Sequence, residues 1–262
     1  MAVRIAIRFI SFAALLYLLL PLVVLVGASL TTTEFLAFPP QGLTLRWYRV
    51  VVENPTYAHS FLVSTLLALA ATALGVVLAV PAALAIARCN FPGKAAFSQL
   101  LLSPLVLPHL VLGAALLQFG SSIGLMRSFE ALLVGHTVIV TPFVLRTVLP
   151  LLTREQLALE EASRDLGAGP VTTFFLVTLP QIRPGIVAGA IFAFITSFIN
   201  VELSIFNTTA ALNTIPVQLF NYVQYSVDPS IAAVSATTIL AAVLAIVVLD
   251  LTIGLDVLAE RD

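Results

Sequence analysis

The residues of this chain that could do chemistry are few, and their spacing works against most enzyme mechanisms. His59, His109 and His136 stand in separate segments and read as packing or interface residues, not as a ligand set. Cys89 is the single cysteine, so neither an internal disulfide nor a thiolate cluster can form. Ser121 and Ser122 share a short connection with no evident base. No G-x-x-x-x-G-K-S/T run is present to cradle a phosphate. Catalytic and metal roles therefore have no residues to carry them.

Two polar sets remain. In SFINVELSIFN, Asn200, Glu202 and Asn207 interrupt an apolar run. A carboxylate in hydrocarbon needs a polar cavity, an ion partner or a proton, so Glu202 reads as part of a cation pathway. The structural alternatives are a helix–helix hydrogen bond or a position near the outer interface. Asn200 and Asn207 would add neutral contacts, although the i to i+2 spacing puts Asn200 and Glu202 on different helix faces. The second set is Arg154, Glu155, Glu160, Glu161, Arg164 and Asp165. Residues 153–166 favour a helix with Glu161 and Asp165 one turn apart, ended or redirected by Gly167, Gly169 and Pro170. Such a helix is either a solvated connector or a rigid lever that transmits force.

The elements that position these sets are apolar. The chain is 60% hydrophobic and 10% charged, with 12 basic against 13 acidic residues, where a soluble domain carries roughly 25% charged residues. A net charge of -1 gives nucleic acid no foothold. Six apolar runs cover about 9–30, 61–87, 96–119, 131–149, 185–206 and 231–249, each near the twenty or so residues a membrane helix needs. They lack the strict alternation of barrel strands. The first run follows Arg4 and Arg8 as a signal peptide would. Its length, and the lack of a clear small-residue cleavage site before TTTEF, favour a retained anchor. Gly75, Gly113, Gly185 and Gly189 permit close helix contact, the last two in a small-xxx-small spacing. Pro81, Pro104, Pro108 and Pro142 bend their helices or lie where these break.

Basic residues orient the bundle. With a cytoplasmic amino terminus, Arg4, Arg8, Arg88, Lys94, Arg146, Arg154, Arg164, Arg183 and Arg261 fall inside, and Arg46, Arg49 and Arg127 outside, which predicts both termini in the cytoplasm. On the outer side, Trp47, Tyr48 and Tyr57 suit a short interfacial helix, and PVQLFNYVQY suits a short amphipathic element facing a partner or the pathway. No loop could bury a core of its own.

The connection between the fourth and fifth runs also carries a pattern. Glu161, Ala162 and Ser163, then Gly167, then Val177, Leu179 and Pro180 keep the spacing EAA, three residues, G, nine residues, I, one residue, LP, with Ser163 for the second alanine and Val177 for isoleucine. The chain thereby resembles the permease subunits of type I ATP-binding cassette importers. RCNFPGKAAF, PLVLPHLVLGAALL and TPFVLRTVLP extend the resemblance over nearly the whole length.

The resemblance implies an all-α, polytopic membrane protein with six transmembrane helices, a type I importer permease core and a cytoplasmic coupling helix. It implies one permease domain over residues 1–262, a core of about 60–254 formed by helices two to six, and a coupling segment of about 153–170, with helix one wrapping against a neighbour. Glu161, Ala162, Ser163 and Gly167 would shape the contact with an ATPase, and Leu179 and Pro180 would fix the start of helix five. Implied partners are an identical or homologous permease, two ATP-binding cassette ATPases, an extracytoplasmic solute-binding protein, a small solute and membrane lipid. The subunit itself would be non-catalytic and bind no cofactor, with ATP and Mg used by the ATPase. ATP binding would favour the outward-facing state, and hydrolysis would restore the inward-facing one. The setting would be the bacterial cytoplasmic (inner) membrane.

PVQLFNY through DPSIAAVSA is most similar to the spermidine and putrescine branch, and Glu202 suits such a cation. Phosphonate, iron, thiamine or amino acid-like cargo is the alternative within the family. A channel or scaffold is the alternative outside it.

Overall fold

The computed structural model describes residues 2–253, and regular secondary structure among them is helical throughout. In chain order the helices are α1 (Ala2–Ser29), α2 (Arg46–Glu53), α3 (Pro55–Arg88), α4 (Lys94–Leu102), α5 (His109–Ser122), α6 (Phe129–Val148), α7 (Arg154–Asp165), α8 (Pro170–Thr173), α9 (Leu179–Phe198), α10 (Ser204–Asn207), α11 (Ile215–Val223) and α12 (Pro229–Ile253). Short 3-10 turns follow α4 and α6 at Ser103–Leu105 and Leu149–Leu151, and a π-turn, Phe174–Thr178, leads into α9. Arg261 lies outside the described residues, as do the ends of the expected domain and core.

Four stretches among the described residues are long and apolar enough to cross a bilayer: Ala6–Ser29, Pro55–Arg88, Phe129–Leu151 and Pro170–Phe198. The third run was expected to be one helix from 96 to 119. It is instead two, Lys94–Leu105 and His109–Ser122, bent by 104°. Pro104 and Pro108 explain the corner: each removes an N–H donor, and the residue before Pro108 is pushed out of helical conformation. Counted as one span, the pair makes a fifth, and α12 contributes a shorter apolar stretch, Pro229–Leu244. The fifth run also departs from expectation. Its helix starts early, at Leu179, and stops at Phe198, so that Glu202 stands in a turn and not within the span.

The fold divides into two compact units. The first holds Met1–His59 and Gln218–Val243. Here α1 is apolar all round beyond Arg8, and its described side chains are nearly all exposed, with Ala28 and Ser29 buried only at its end, as befits a helix solvated by lipid or by another subunit. The α1 end is tied to α2: the Ser29 and Tyr48 hydroxyls lie 2.7 Å apart, and the Trp47 indole N–H donates to the Thr31 carbonyl at 2.9 Å. Asp228 caps the start of α12. Its carboxylate accepts the Ser230 backbone N–H at 2.8 Å, the Ser230 hydroxyl, and the Tyr222 hydroxyl at 2.6 Å. Burial would raise its pKa, but those three donors outweigh it and hold the carboxyl below its ordinary value.

The second unit is Ser60–Val217 with the described residues from Leu244 to Ile253. Its core joins Ala71, Ala79 and Ala83 of α3 to Val140, Val144 and Val148 of α6 and Ile182 and Ala193 of α9. The most intimate pairing is α6 against α9. A Cβ on Gly185 would come within 2.6 Å of the Thr147 carbonyl oxygen, and one on Gly189 within 2.6 Å of Val144 Cα. The small-xxx-small spacing therefore sets how closely these two backbones approach.

Candidate functional site

The acidic and basic connector folds as a rod closed at both ends. Thr153 is extended at φ -76, ψ 177, and its hydroxyl accepts the Gln156 N–H at 3.4 Å, an N-cap for α7. The same hydroxyl, followed by the residue's own backbone N–H, holds the Glu155 carboxyl below its ordinary range. At the other end Leu166 N–H donates to the Ala162 carbonyl at 3.1 Å, Gly167 N–H to Arg164 at 2.9 Å, and Ala168 N–H to Ser163 at 3.1 Å. This pairing needs a left-handed residue just past the helix, and Gly167 supplies it at φ +92.

One side of the rod is open. Leu159, Ala162, Ser163 and Leu166 line a groove of about 630 Å³ with Val177 of the π-turn and Pro180 at the start of α9. Of the residues assigned to coupling, Ala162, Ser163 and Pro180 thus share one surface. Glu161 and Gly167 are exposed on α7 and its terminal turn, while Leu179 packs against the core.

The adjoining face of α7 is buried and polar, through Gln156 and Glu160. Glu160 receives the Arg88 guanidinium two-pronged, Nε to Oε2 at 3.2 Å and Nη2 to Oε1 at 3.1 Å. Arg88, the last residue of α3, also donates through Nη1 to the carbonyls of Leu152 at 3.3 Å and Thr153 at 3.2 Å. The Thr178 hydroxyl donates to Glu160 Oε1 at 3.0 Å, and the Gln156 side-chain N–H reaches the Thr178 carbonyl at 3.5 Å. Reading the sequence left this cluster unassigned. Its signal was Gln156 and Glu160 one turn apart on a single face, with an arginine closing a long apolar helix.

At the break after α9 a second network forms. The Asn200 side-chain carbonyl accepts the Leu203 N–H at 2.9 Å, so its amide N–H faces His109 Nδ1 at 3.2 Å. That assignment leaves the His109 proton on Nε2. The carboxylate of Glu202 is 62% exposed and lies 4.0 Å from the same Nδ1. His136 of α6 is fully buried. Nδ1 is 2.7 Å from the Ser197 hydroxyl at the end of α9, and Nε2 is 2.9 Å from the Ser204 hydroxyl at the start of α10. Ser204 donates onward to the Asn200 carbonyl at 3.0 Å, so it accepts from His136 Nε2–H. The imidazole bridges the break from both sides. Asn207 is buried, and its amide donates to the carbonyls of Gly113 at 3.4 Å and Leu203 at 3.3 Å.

Chemically, these arrangements offer an open groove, a buried ionic hub and a solvent-open carboxylate at the break after a helix. Among the described residues, no group of three or more His, Cys, Asp or Glu side chains is gathered as metal ligands would be.

Residues 74–256 match the family model described as binding-protein-dependent transport system inner membrane component. The spermidine/putrescine transport system permease protein PotC of Escherichia coli K12 is 30% identical over 244 residues, covering 92% of this chain and 90% of its own. The molybdenum transport system permease protein ModB of Mycobacterium bovis is 33% identical over 234 residues, covering 82% and 88%. In fold, the chain is similar to a chain in the crystal structure of a bacterial ABC transporter involved in import of the acidic polysaccharide alginate. The TM-score there is 0.72 over 95% of both chains at 15% identity. A helical, multi-pass chain with this family match along most of its length belongs to the binding-protein-dependent transport system inner membrane components and is the membrane permease subunit of an ATP-binding cassette importer.

Proposed function

We propose that this permease imports a polyamine or another small organic cation and that α7 is its coupling helix. The observation that carries the coupling reading is the open groove where Ala162, Ser163 and Leu166 meet Val177 and Pro180. With α7 seated in a groove of the ATPase, contact at this open face would press on α7 and the start of α9 together. Glu161, Ala162, Ser163, Gly167, Leu179 and Pro180 form the coupling set, within a segment of about 153–170. The permease domain spans residues 1–262, with its core at about 60–254. It crosses the inner membrane six times, with the bent α4–α5 pair as the third span and α12 as the sixth. Both termini are cytoplasmic on the balance of basic residues. An identical or homologous permease, against which α1 wraps, completes the pathway. Two ATPases using ATP and Mg bind inside, and a solute-binding protein binds outside.

Cargo is read from Glu202. An exposed carboxylate at the break of α9, flanked by Asn200 and Asn207, attracts a cation and repels an anion. The name of the Escherichia coli relative agrees with a polyamine. The name of the Mycobacterium bovis relative favours a second reading, an inorganic solute. The test is ATPase activity and uptake by the complete complex in lipid vesicles, with its binding protein loaded in turn with spermidine, putrescine, molybdate and an amino acid. Stimulation by the polyamines alone supports the proposal. Stimulation by another solute keeps the importer and rejects the cargo, and hydrolysis unlinked to any uptake rejects the coupling role of α7.

A further inference from the structure

The hub on the inner side of α7 joins four pieces of chain: the end of α3, the turn after α6, α7 itself and the π-turn that opens α9. We propose that Arg88 and Glu160, with Thr178 and Gln156, form an internal joint that makes α7 move as one piece with the ends of α3 and α9. The inference deepens the coupling reading and rests on it. Arg88 and Glu160 are positioning residues in this scheme, since neither lines the docking groove.

Geometry carries the argument. A single-point contact lets a helix swivel, whereas the planar guanidinium holds Glu160 at two oxygens and two backbone carbonyls at the same time. Lysine cannot reproduce that fork. Glu160 passes the constraint on through the Thr178 hydroxyl, and Gln156 takes up the Thr178 carbonyl. Thr178 closes a π-turn, a widened turn that appears mostly as a single insertion at functional places in helices.

Burial sharpens the point. The side chains of Arg88 and Glu160 are 16% and 6% exposed. A buried ion pair adds little net stability over apolar residues of similar volume, yet opening it leaves an uncompensated charge. A pair that contributes little to holding the fold but strongly resists being pulled apart is suited to transmitting displacement. The push arrives on the groove face of α7, and the hub on the adjoining face delivers it to the second and fifth membrane spans.

The experiment uses the full complex in vesicles and reads two quantities: cargo taken up per ATP hydrolysed, and the distance between spin labels on Cys89 and on Asp165→Cys, with and without trapped nucleotide. In the otherwise wild-type chain that distance should stay constant while the complex cycles. A change on nucleotide binding means that α7 moves independently of α3 and overturns the joint. The double variant Arg88→Met with Glu160→Met removes both charges while filling the space. It should assemble and hydrolyse ATP, with uptake per ATP reduced at least about fivefold, the lower end of ordinary site-to-site coupling, and with a broadened label distance. Arg88→Lys should fall between. An assembled double variant that couples as well as wild type shows a merely structural pair and overturns the proposal. Should the double variant fail to assemble, Thr178→Val removes one hydroxyl from the joint, and an unchanged ratio there is equally fatal. A wild-type complex that binds no ATPase, or hydrolyses without transport, defeats the proposed function instead.

Discussion

Replacing Gly189 with alanine tests whether α6 and α9 are held at a separation that no side chain tolerates. The added Cβ would stand 2.6 Å from Val144 Cα, a backbone atom that cannot rotate away, and ordinary contact begins at 3.4 Å. The helices must part by the difference, 0.8 Å. A gap of that size forfeits about a quarter to a half of each dispersion well of about 0.1–0.2 kcal/mol. Across about forty atom pairs, roughly what one buried leucine makes, the loss is about 1–4 kcal/mol, which overlaps the range of about 1–3 kcal/mol usual for overpacked cores.

Alanine also favours helix over glycine by about 1 kcal/mol, so a control must cancel that gain. Gly75→Ala supplies it. Its Cβ meets a side-chain methyl of Val140 at 3.1 Å and backbone only at 3.7 Å, so Val140 can yield by a few tenths of an ångström. Unfolding of the purified permease in detergent, by heat or by titrated SDS, should show Gly189→Ala less stable than Gly75→Ala by about 1–4 kcal/mol. Thr147→Ala should fail to rescue it, because Val144 Cα remains in the way. Equal stability of the two glycine variants would refute the claim that backbone contact sets this helix pair.

Gly167 sits at φ +92, and a Cβ there would meet nothing within 4 Å, so substitution is opposed by conformation and not by space. Left-handed backbone disfavours ordinary residues by about 1–2 kcal/mol, and asparagine least among them; uptake per ATP should therefore fall in the order Gly, Asn, Ala, Val, and an unordered series would remove the turn from the mechanism. Glu202→Gln should raise the half-saturating concentration for a divalent polyamine more than for a monovalent amine, measured by uptake against cargo concentration, and equal shifts would point to a packing role. Asp228 is held below its ordinary pKa by its hydrogen-bond donors, so its stabilising contribution is present above the unfolded value of about 3.9 and is lost as pH falls through the lower folded value. Asp228→Asn should be less stable than wild type at neutral pH and converge on it in acid; a deficit that stays constant with pH would contradict the capping role.

How far each element was legible depended on what sets it. The α7 rod, its Thr153 cap and its Gly167 terminus follow from side-chain and backbone preferences within a few residues, and a helix ending there is what those preferences predict. The corner between α4 and α5 was half-legible: Pro104 and Pro108 announced a break, but its 104° angle depends on what the second helix packs against. The end of α9 was not legible. FINVELSIF is apolar enough to continue the helix, and it stops because Asn200 captures the Leu203 N–H while His136, more than sixty positions earlier, holds hydroxyls on either side of the turn.

What the sequence by itself determined is the solvent and the lineage. Hydrocarbon imposes long uncharged runs, and the spacing of small residues and glycine from Glu161 to Pro180 carries the family resemblance, and both are properties of consecutive positions. Tertiary structure alone decided the partners of the buried charges. Arg88 and Glu160 are 72 positions apart, and no local rule pairs them. Their meeting depends on how α3, α7 and the start of α9 pack together, where a lone buried charge is too costly to remain and a two-pronged partner is the arrangement that satisfies it.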